Sequence, residues 1–551
     1  MKVVLVGINS KFIHPNMAIR YLKANCSFPV DLMEFTIKDD IDFILEKIIN
    51  SKADVIGFSC YIWNIKLIKK IIKEIKISNE NIKIVLGGPE TSYEYDDYLL
   101  SGLADFIIIN EGEITFNQLI NSIESKASFK DIKNLAYISN GKIIRNDLEN
   151  ISNLNDLLSP YYFKEDYQDI PKKVQYVELS RGCPYKCSYC LASLEKGLRY
   201  FDIDNTFKTI DHLVEKKAKT IKFLDRSFNA NKKMALSFFK RLIEKDYPNT
   251  IFQFEINGDV LSSEIIDYLK DNLKENYIRF ELGVQSTNDQ VNLEINRHQN
   301  TLKLIENIKK LQTTNVILHL DLIAGLPYED LSSFKNTFNT IFSLFGQELQ
   351  LGFLKMLNGT KIKRESEKHE YVYSEDPPYE IISNKYLSKK DNEIIHLTET
   401  FLEIYWNKGF MNESVKLIIS CGYNPFDFFY ELGLYYEKMK ISYRNYQLYD
   451  IFTRLISFLI EKNIWNQELQ DLLKLDYLRY HNIKPKIYWK NYPNKQDVIR
   501  SFFEVNKEFK IDDLYKYSLV TEYNNGFLLV IYLPNKKYFY LLEDNKTKRI
   551  S

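Results

Sequence analysis

The chain has 551 residues, of which 45% are hydrophobic and 27% charged, and its 74 Lys and Arg residues balance its 74 Asp and Glu residues. This length is too great for one hydrophobic core and predicts several domains. The zero net charge excludes a global basic field, so we expect no nucleic-acid or anionic-lipid partner. No uninterrupted run of about 18 apolar residues is present, so we expect no membrane span.

Residues 1–145 show short apolar runs, such as "KVVLVGI", "DVIGFSCYI" and "IKIVLGG", that alternate with amphipathic stretches. This alternation predicts an α/β domain with a doubly wound, Rossmann-like (flavodoxin-like) parallel sheet. Such a sheet binds its ligands outside the carboxyl ends of the strands. Residues 146–170 lack clear periodicity, and we interpret them as a linker.

Residues 171–360 contain a second series of strand and helix patterns. The six predicted strands are "VQYVEL", "TIKFLD", "IFQFEI", "IRFELGV", "VILHLDLIAG" and "LQLGFL". Six units predict a partial (β/α)6 barrel of the TIM type, because a full barrel needs eight. Residues 361–551 predict a mostly helical, aromatic-rich domain that ends in strand-like alternation, and no motif in it names a substrate.

Three of the six cysteines lie close together, in the spacing Cys183-x3-Cys187-x2-Cys190 behind the first barrel strand. Clustered cysteines are typical of metal binding in a reducing compartment, and the chain starts without a signal-peptide pattern, so we expect a cytoplasmic protein. A structural zinc site takes four protein ligands, whereas three thiolates on a [4Fe–4S] cluster leave one iron open. A zinc knuckle completed by Cys421 or a distant His is the alternative.

The cysteine triplet, with an aromatic residue before its last member, resembles the radical S-adenosylmethionine (SAM) superfamily. The resemblance implies that the open iron binds the amino and carboxylate groups of SAM. One electron from the cluster, delivered by a donor such as flavodoxin or ferredoxin, then cleaves SAM to a 5′-deoxyadenosyl radical. By the same resemblance, Tyr189 packs near the adenine.

The resemblance also assigns SAM contacts to the later barrel strands. The segment "FLDRSFN" stands where many members carry Gly-Gly-Glu, so Asp225 is the candidate acceptor for the SAM amino group. Gln285 in "GVQST" and Arg297 match two further SAM-binding positions. An Arg fork can hold a carboxylate in bidentate fashion, which gives that role a physical basis.

The first domain resembles the cobalamin-binding domains that precede radical SAM barrels, through "GINSKFIHPN", "GFSCYIWN", "VLGGPETSY" and "NEGEITFNQL". The resemblance places one group near the lower nucleotide or corrin edge, a second around the dimethylbenzimidazole base and a third at the corrin periphery. The residues so assigned are Asn9, Ser10, Ser59, Tyr61, Trp63, Gly87, Gly88, Pro89, Glu90, Glu111, Gly112 and Glu113. We expect Gly57, Gly87 and Gly88 to let backbone approach the ligand. A dinucleotide is the competing ligand, but no G-x-G-x-x-G follows the first strand.

No Asp-x-His-x-x-Gly motif is present, so the resemblance implies base-off cobalamin without a histidine ligand. His14 is the one histidine before residue 212 and directly precedes a proline. We interpret it as a loop residue that forms hydrogen bonds, with ligation of cobalt as the alternative.

Together these patterns predict a cobalamin-dependent radical SAM enzyme that methylates an unactivated carbon of a small molecule or peptide through methylcobalamin. Cyclisation, rearrangement and methylthiolation are alternatives, although Cys26 and Cys60 alone cannot supply the second cysteine triplet of a methylthiotransferase. A non-catalytic sensor of cobalamin or redox state needs only binding and is the alternative from another class. The patterns assign no catalytic side chain.

Overall fold

A computed structural model gives the fold. It describes residues 1–195, 197–486, 492, 494–534, 536–543 and 546–550. The chain forms two compact units, the first comprising residues 1–337 and 350–392 and the second residues 338–349 and 393–551. In the part of the chain that the structure describes, no helix is long and apolar enough to cross a membrane.

The first unit begins with a seven-stranded sheet in the order β2-β1-β3-β4-β5-β6-β7, in which β1 to β5 are parallel and β6 and β7 antiparallel. Its elements are β1 (Val3–Asn9), α1 (Met17–Ala24), β2 (Val30–Thr36), α2 (Ile41–Asn50), β3 (Val55–Ser59), α3 (Ile65–Ser78), β4 (Lys83–Gly87), α4 (Tyr95–Leu100), β5 (Phe106–Ile108), α5 (Glu113–Ser125), β6 (Leu135–Ser139) and β7 (Lys142–Arg145).

Helices cover both faces of this sheet, which explains why its central strands are continuously apolar. All seven residues of β1 are buried. On α3, Ile65, Ile68, Ile72 and Ile75 follow helical spacing and are buried against the sheet. The core therefore fixes the strand order and directs the carboxyl ends of β1, β3, β4 and β5 to one edge.

A six-stranded sheet follows, in the order β15-β14-β13-β12-β11-β8, with parallel pairing from β8 to β14. Its elements, with a small hairpin formed by β9 and β10, are β8 (Gln175–Val177), β9 (Ser180–Arg181), β10 (Arg199–Tyr200), α6 (Ile203–Glu215), β11 (Thr220–Phe223), α7 (Lys232–Lys245), β12 (Ile251–Ile256), α8 (Ser263–Asn272), β13 (Ile278–Gln285), α9 (Asp289–Glu294), α10 (Thr301–Leu311), β14 (Ile317–Ala324), α11 (Leu331–Phe342) and β15 (Glu348–Phe353).

The two faces of this second sheet differ in polarity. Phe223, Phe254 and Phe280 are fully buried on the side that packs against α7. The opposite side carries charged residues, and Lys222 pairs with Glu281 at 2.7 Å. TIM barrels usually fill their interior with branched apolar side chains. This partial barrel is therefore polar inside and open along the unpaired edges of β8 and β15.

The remaining elements are mostly helical and end in an antiparallel sheet in the order β18-β19-β20-β21. They are α12 (Lys361–Arg364), β16 (Val372–Tyr373), β17 (Ile381–Ser383), α13 (Lys389–Leu402), α14 (Asn412–Ser420), α15 (Pro425–Lys438), α16 (Leu448–Glu461), α17 (Gln467–Tyr480), α18 (Lys495–Val505), α19 (Ile511–Tyr517), β18 (Ser518–Tyr523), β19 (Gly526–Leu533), β20 (Lys536–Glu543) and β21 (Lys546–Arg549).

The predicted fold class is confirmed, including the six barrel strands and the helical carboxyl-terminal region. The predicted linker contains three short 3-10 turns, at Leu154–Asp156, Lys164–Asp166 and Ile170–Lys172. The predicted domain boundaries themselves stay predictions.

Candidate functional site

The three clustered cysteines lie on one loop that runs from β9 to a short 3-10 turn at Leu191–Leu194. Cys183 and Cys187 are buried and Cys190 is partly buried. Burial raises the pKa of Cys183 and of Cys190, and the neighbouring thiols of the triplet raise both further. Cys183 and Cys190 therefore favour the protonated form, and a bound cation such as iron would stabilise the thiolates that act as its ligands.

A glycine turns the chain into this loop. Gly182 has a φ of 94°, and a Cβ at this position would lie 2.0 Å from the carbonyl oxygen of Gly197. Beyond the turn, the Ser188 N–H donates to the Ile295 carbonyl at 2.8 Å. The Asn296 Nδ2 donates to the Lys186 carbonyl at 2.7 Å. The barrel therefore holds the loop from the side of α9.

The donor set fits a [4Fe–4S] cluster with one open iron, because the loop offers three thiols and no fourth. Among the described residues, no group of three or more His, Cys, Asp or Glu side chains is gathered closely enough to hold a single metal ion. The three cysteines are thus neighbours around a loop rather than a compact single-ion centre.

Three of the four residues assigned to SAM lie together beside Cys187. The Arg297 Nη1 donates to the Tyr189 hydroxyl at 3.4 Å, and its Nη2 donates to the Gly283 carbonyl. The thiol of Cys187 also acts on the Arg297 guanidinium, whose pKa burial lowers but whose neighbours Tyr189 and Cys187 raise above its ordinary value. Gln285 follows Gly283 on the same strand end.

Gln285 has the two features expected of a ligand-binding group. Its backbone lies in the left-handed region at a φ of 68°, where the pairing of β13 with β14 shifts register. Its Oε1 is buried and has no hydrogen-bond partner among the described residues. An unsatisfied buried acceptor is costly, so this atom fits a donor from a bound molecule such as SAM.

Asp225 lies apart from those three residues. It is 2% exposed, and its carboxylate accepts hydrogen bonds from the Leu179 N–H at 2.9 Å and the Ser180 hydroxyl at 2.5 Å. Burial raises its pKa to about 7 despite these hydrogen bonds. Both oxygens therefore already fix the backbone that leads to the cysteine loop, and the assignment of Asp225 to the SAM amino group stays a prediction.

A cavity of about 1890 Å³ lies between the carboxyl ends of the first sheet and the mouth of the partial barrel. Pockets for small ligands usually measure about 300–1,000 Å³, so this cavity suits a larger ligand or several ligands. All twelve residues assigned to cobalamin line it, and Gly182 and the 3-10 turn after the cysteines line the same space. Tyr189, Asp225, Gln285 and Arg297 do not line it.

At the ends of β1 and β3, a polar network holds two of these twelve side chains. Asn16 donates to the Ser59 hydroxyl at 2.7 Å, and Asn9 donates to Glu34 at 3.0 Å. Glu34 in turn accepts from Arg20 at 2.7 Å. Burial opposes ionisation of Glu34, but these donors hold its pKa at about 2. The network fixes the polar floor of the cavity.

An aromatic pair stands on the same floor. The rings of Tyr61 and Trp63 stack with centroids 4.4 Å apart and planes 5° apart, and the Trp63 indole N–H donates to the Ile8 carbonyl at 3.2 Å. Trp63 is 43% exposed and lines the cavity. A flat apolar platform of this kind fits a large planar ligand.

The glycines serve the protein's own packing as well as the cavity. A Cβ on Gly88, whose φ is 113°, would lie 2.4 Å from the Cys60 carbonyl oxygen, and one on Gly57 would lie 2.5 Å from Leu5. A Cβ on Gly87 would make only ordinary contacts. The expected close approach therefore occurs between Gly88 or Gly57 and other protein atoms, while Gly87 leaves room on the cavity side.

Glu111 and Glu113 lie at the wall between the first domain and the barrel. Glu111 accepts from Arg199 at 2.8 Å, and Glu113 pairs with Arg181 at 2.7 Å. Arg181 also pairs with Glu178 at 3.0 Å. Burial opposes the charge on Glu111, but the hydrogen bond from Arg199 holds its pKa below the ordinary range. Glu111 and Glu113 therefore form ion pairs that connect the first domain to the barrel, in addition to lining the cavity.

Two further residues have partners that the sequence did not indicate. The Tyr379 hydroxyl donates to Glu90 at 2.7 Å, and burial raises the pKa of Glu90. His14 lines the cavity with its Nδ1 2.7 Å from the Tyr176 hydroxyl. Burial and Lys11 lower the pKa of His14. This contact favours the interpretation of His14 as a hydrogen-bonding residue.

Sequence reasoning missed Arg181, Arg199, Arg226 and Tyr379 as residues of this region. Arg181 lies two residues before Cys183 in "SRGC", and Arg226 directly follows Asp225 in "FLDRSFN"; that nearness to motif residues was the available signal. Arg199 and Tyr379 stand beside no motif, and only the fold brings Arg199 to the cavity and Tyr379 to Glu90.

Comparisons with known proteins agree with this architecture. Residues 3–120 match the family described as B12 binding domain, residues 177–341 match the radical SAM superfamily, and residues 367–524 match a family described as protein of unknown function (DUF4080). The fold and the cysteine loop thus define a radical SAM protein that carries a B12-binding domain. The three matched regions follow one another along the chain in the order B12 binding, radical SAM and DUF4080.

Relatives of similar sequence include proteins named as methyltransferases. An uncharacterized methyltransferase of Pyrococcus horikoshii is 30% identical over 216 residues, which cover 37% of this chain and 45% of the relative. The 2-(S-pantetheinyl)-carbapenam-3-carboxylate methyltransferase of Streptantibioticus cattleyicolor is 25% identical over 317 residues, which cover 54% and 46%. The matched segments therefore span about half the length of these relatives.

Solved structures of similar fold include the cobalamin-dependent SAM radical enzyme OxsB with aqua-cobalamin bound. It has a TM-score of 0.64 and 15% identity, covering 87% of this chain and 78% of that one. The radical SAM methyltransferase TsrM of Kitasatospora setae, with cobalamin and a [4Fe-4S] cluster bound, has a TM-score of 0.56 and 12% identity, covering 69% and 82%. At these identities the likeness establishes the fold. The predicted cofactor set of cobalamin, SAM and a [4Fe–4S] cluster is confirmed at the level of the domain families.

Proposed function

We propose that this protein is a cobalamin-dependent radical SAM methyltransferase that acts on an unactivated carbon. One observation carries the proposal: the residues at the two ends of the cysteine loop, Gly182 and Leu191, line the same large cavity that gathers all twelve residues assigned to cobalamin. A cluster site and a corrinoid site that share one space allow a methyl carrier and a radical generator to serve the same substrate.

We assign each group to residues of this chain. Cys183, Cys187 and Cys190 hold three irons, and Tyr189, Gln285 and Arg297 orient SAM beside the fourth. Tyr61 and Trp63 would pack against the corrinoid, with Asn9 and Ser59 held by the polar network. When bound, the cluster supplies the electron that cleaves SAM to a 5′-deoxyadenosyl radical, and cobalamin supplies the methyl group.

The chain's own part in the reaction is to position these groups and exclude water. The cysteine loop is held against α9 by the hydrogen bonds of Ser188 and Asn296. The arginine pairs of the domain wall keep the first sheet over the barrel mouth. Enclosure of this kind protects a reactive radical from side reactions.

The methylthiotransferase alternative needs a second cysteine triplet in the first domain. Cys60 is fully buried, and Cys26 is partly buried and packs with the core on the α5 side of the sheet. Neither thiol lines the cavity. These placements favour methyl transfer over methylthiolation.

The test is anaerobic purification with cobalamin supplied and the cluster reconstituted, comparing the unaltered protein with Cys187→Ala and, as a matched control, Cys421→Ala at an exposed thiol. We expect roughly four irons and one cobalt per chain in the unaltered protein and the control, and loss of iron in Cys187→Ala. Under dithionite, the first two should form 5′-deoxyadenosine.

S-adenosylhomocysteine formed alongside 5′-deoxyadenosine supports methyl transfer. 5′-Deoxyadenosine alone, with cobalt bound and no S-adenosylhomocysteine from any substrate tested, supports cyclisation or rearrangement instead. Cobalt and iron without SAM cleavage supports the sensor. Zinc without iron or cobalt would overturn the whole assignment.

A further inference from the structure

Most of the charged side chains that line the cavity are already neutralised by partners within the protein. Their pairs are Arg181 with Glu113 and Glu178, Arg199 with Glu111, Lys222 with Glu281, and Lys363 with Glu94. Glu90 accepts from the Tyr379 hydroxyl. Besides Glu90, the charged lining residues without an ion pair in the described part of the chain are Arg145, Glu149, Glu195, Arg226, Glu255 and Arg364. Of these, Arg226 follows β11 and Glu255 lies on β12, which are neighbouring strands of the barrel.

Arg226 carries the positive charge of these two residues. It follows β11, lines the cavity, and forms no hydrogen bond or ion pair with any residue that the structure describes. The charges that act on it most strongly are those of Glu255 and Cys190, which places it between the barrel wall and the cysteine loop. Its side chain is accessible from the cavity while the protein surrounds it.

Glu255 is the complementary case on the neighbouring strand. It lies at the carboxyl end of β12, lines the cavity, and has no hydrogen-bond or ion-pair partner within the described residues. Burial raises its pKa, which Arg226 and Lys222 partly offset. Arg226 and Glu255 therefore interact electrostatically, but they do not form a direct ion pair.

The Arg226 side chain is exposed to the cavity and has no fixed anionic partner, so its guanidinium can take an anion that enters. Arginine is the side chain best suited to hold a carboxylate or phosphate, because its planar fork donates two parallel hydrogen bonds. A nearby carboxylate that stays open can accept from an amino or hydroxyl group of the same ligand. Arg226 and Glu255 thus present one positive and one negative group to the cavity without an ion pair between them.

The position of the pair separates it from the groups assigned to the cofactors. Gln285 and Arg297, assigned to SAM, do not line the cavity, whereas Arg226 and Glu255 do. The residues assigned to cobalamin come from the first sheet and its loops, and Arg226 and Glu255 come from the barrel. The pair therefore lines the cavity from the barrel side, with Arg226 directly after Asp225, the candidate contact of the SAM amino group.

We propose that Arg226 and Glu255 form the substrate-recognition pair, and that the substrate is an acidic small molecule whose carboxylate or phosphate binds Arg226 while an amino or hydroxyl group donates to Glu255. This assignment rests on the proposed function and deepens it by naming the class of substrate. Both residues touch the substrate and neither holds a cofactor.

The first experiment measures the reactivity of individual arginines in the full chain, reconstituted anaerobically and loaded with hydroxocobalamin. Phenylglyoxal modifies accessible, unpaired guanidinium groups, and peptide mass mapping gives a rate for each site. We expect Arg226 to react several-fold faster than Arg181 and Arg199, which are paired. Inorganic phosphate or succinate should protect Arg226 but not Arg145, an exposed arginine on the rim of the same cavity.

The second experiment compares Arg226→Gln with Arg145→Gln as the matched control. We expect Arg226→Gln to raise the phosphate or succinate concentration needed for binding, measured by calorimetry, by about 10-fold or more, the loss expected when a hydrogen-bond donor to a charged group is removed. Glu255→Gln should bind phosphate normally but lose any preference for glycine over acetate. SAM affinity and cobalt content should match the unaltered protein in all three variants.

Several outcomes would overturn the assignment. An unreactive Arg226 means that the guanidinium is already paired. Protection by S-adenosylhomocysteine but not by phosphate or succinate, or loss of SAM binding in Arg226→Gln, moves the residue to the SAM site. Protection by hydroxocobalamin loading alone moves it to the cobalamin site. Failure of the unaltered protein to bind cobalt or iron is a separate result, because it refutes the proposed function itself.

Discussion

Gln285 combines backbone strain with an unsatisfied acceptor in a single residue. A residue other than glycine in the left-handed region costs about 1–3 kcal/mol, and such strain clusters at functional sites. The buried Oε1 adds a desolvation cost on top of that. The fold keeps both costs at the strand end beside Arg297 and Cys187, which is where the proposed function needs an acceptor.

Glu329 is a buried carboxyl group near that strand end, and its protonation links stability to pH. The Ser286 hydroxyl donates to its Oε1 at 2.5 Å, and burial raises its pKa from 4.5 to about 7. Between these two values the folded state holds a proton that the unfolded state releases, so stability falls as pH rises through this window. Above pH 7 the cost is fully present, at about 3 kcal/mol.

We therefore expect Glu329→Gln to raise the unfolding temperature at pH 8 and to change it little at pH 4.5. Thermal unfolding of the unaltered protein and the variant from pH 4.5 to 8 measures this. Glu275→Gln, at an exposed carboxylate that is not among the charges acting on Glu329, is the control and should leave the pH profile unchanged. Parallel pH profiles for Glu329→Gln and the unaltered protein would contradict the prediction.

At the scale of elements, the cysteine loop depends on how its two ends meet. Gly182 enters the loop and Gly197 leaves it, and their backbones touch where a Cβ on Gly182 would lie 2.0 Å from the Gly197 carbonyl oxygen. Gly197 also has a positive φ, of 76°, but a Cβ there would enter open space. At Gly182 both the left-handed backbone and the close contact with Gly197 require glycine, whereas at Gly197 only the left-handed backbone favours it.

This difference gives a matched pair of variants. Gly182→Ala should displace the loop and lower the iron content after reconstitution well below that of the unaltered protein. Gly197→Ala should cost only the left-handed backbone penalty of about 1–2 kcal/mol and retain its iron. Iron and sulfide analysis of the two variants measures the effect. Equal iron content in both would show that the contact with Gly197 does not shape the loop.

The polarity of the barrel is a second feature at this scale. Alternation along β12 and β13 puts phenylalanines on the helix side and Glu255, Glu281 and Arg279 on the other. An apolar interior would close the partial barrel against water, whereas charged groups keep it solvated until a ligand enters. The sheet thus presents recognition groups at its open end without losing its core, which lies on the helix side.

At the scale of the whole first unit, features that depend on residues close in sequence could be predicted, whereas contacts between residues far apart in sequence could not. Apolar runs and the spacing of the cysteines depend on residues close in sequence, so the six barrel strands and the loop could be predicted. Glu111 reaches Arg199 across 88 positions and Arg181 across 70. No local sequence pattern marks such pairs. Whether Arg226 has an ion-pair partner likewise depends on every residue that the fold brings near it.

The ion pairs of Arg181 connect the first domain directly to the barrel. Its side chain is 12% exposed and joins Glu113 at the start of α5 to Glu178 beside the cysteine loop. Removing one partner of a buried ion pair leaves the other charges uncompensated and typically costs about 3–5 kcal/mol. The two carboxylates would then repel each other across the domain wall.

We expect Arg181→Met to lower the unfolding temperature and to increase hydrogen exchange in α5, while Lys133→Met, at an exposed ion pair with Asp147, leaves both unchanged. Adding Glu113→Gln to Arg181→Met should recover part of the stability, because it removes one of the stranded charges. That recovery distinguishes lost charge pairing from lost packing over Tyr21, which the second substitution does not restore. An Arg181→Met protein as stable as the unaltered one would mean that the wall is held by its apolar contacts alone.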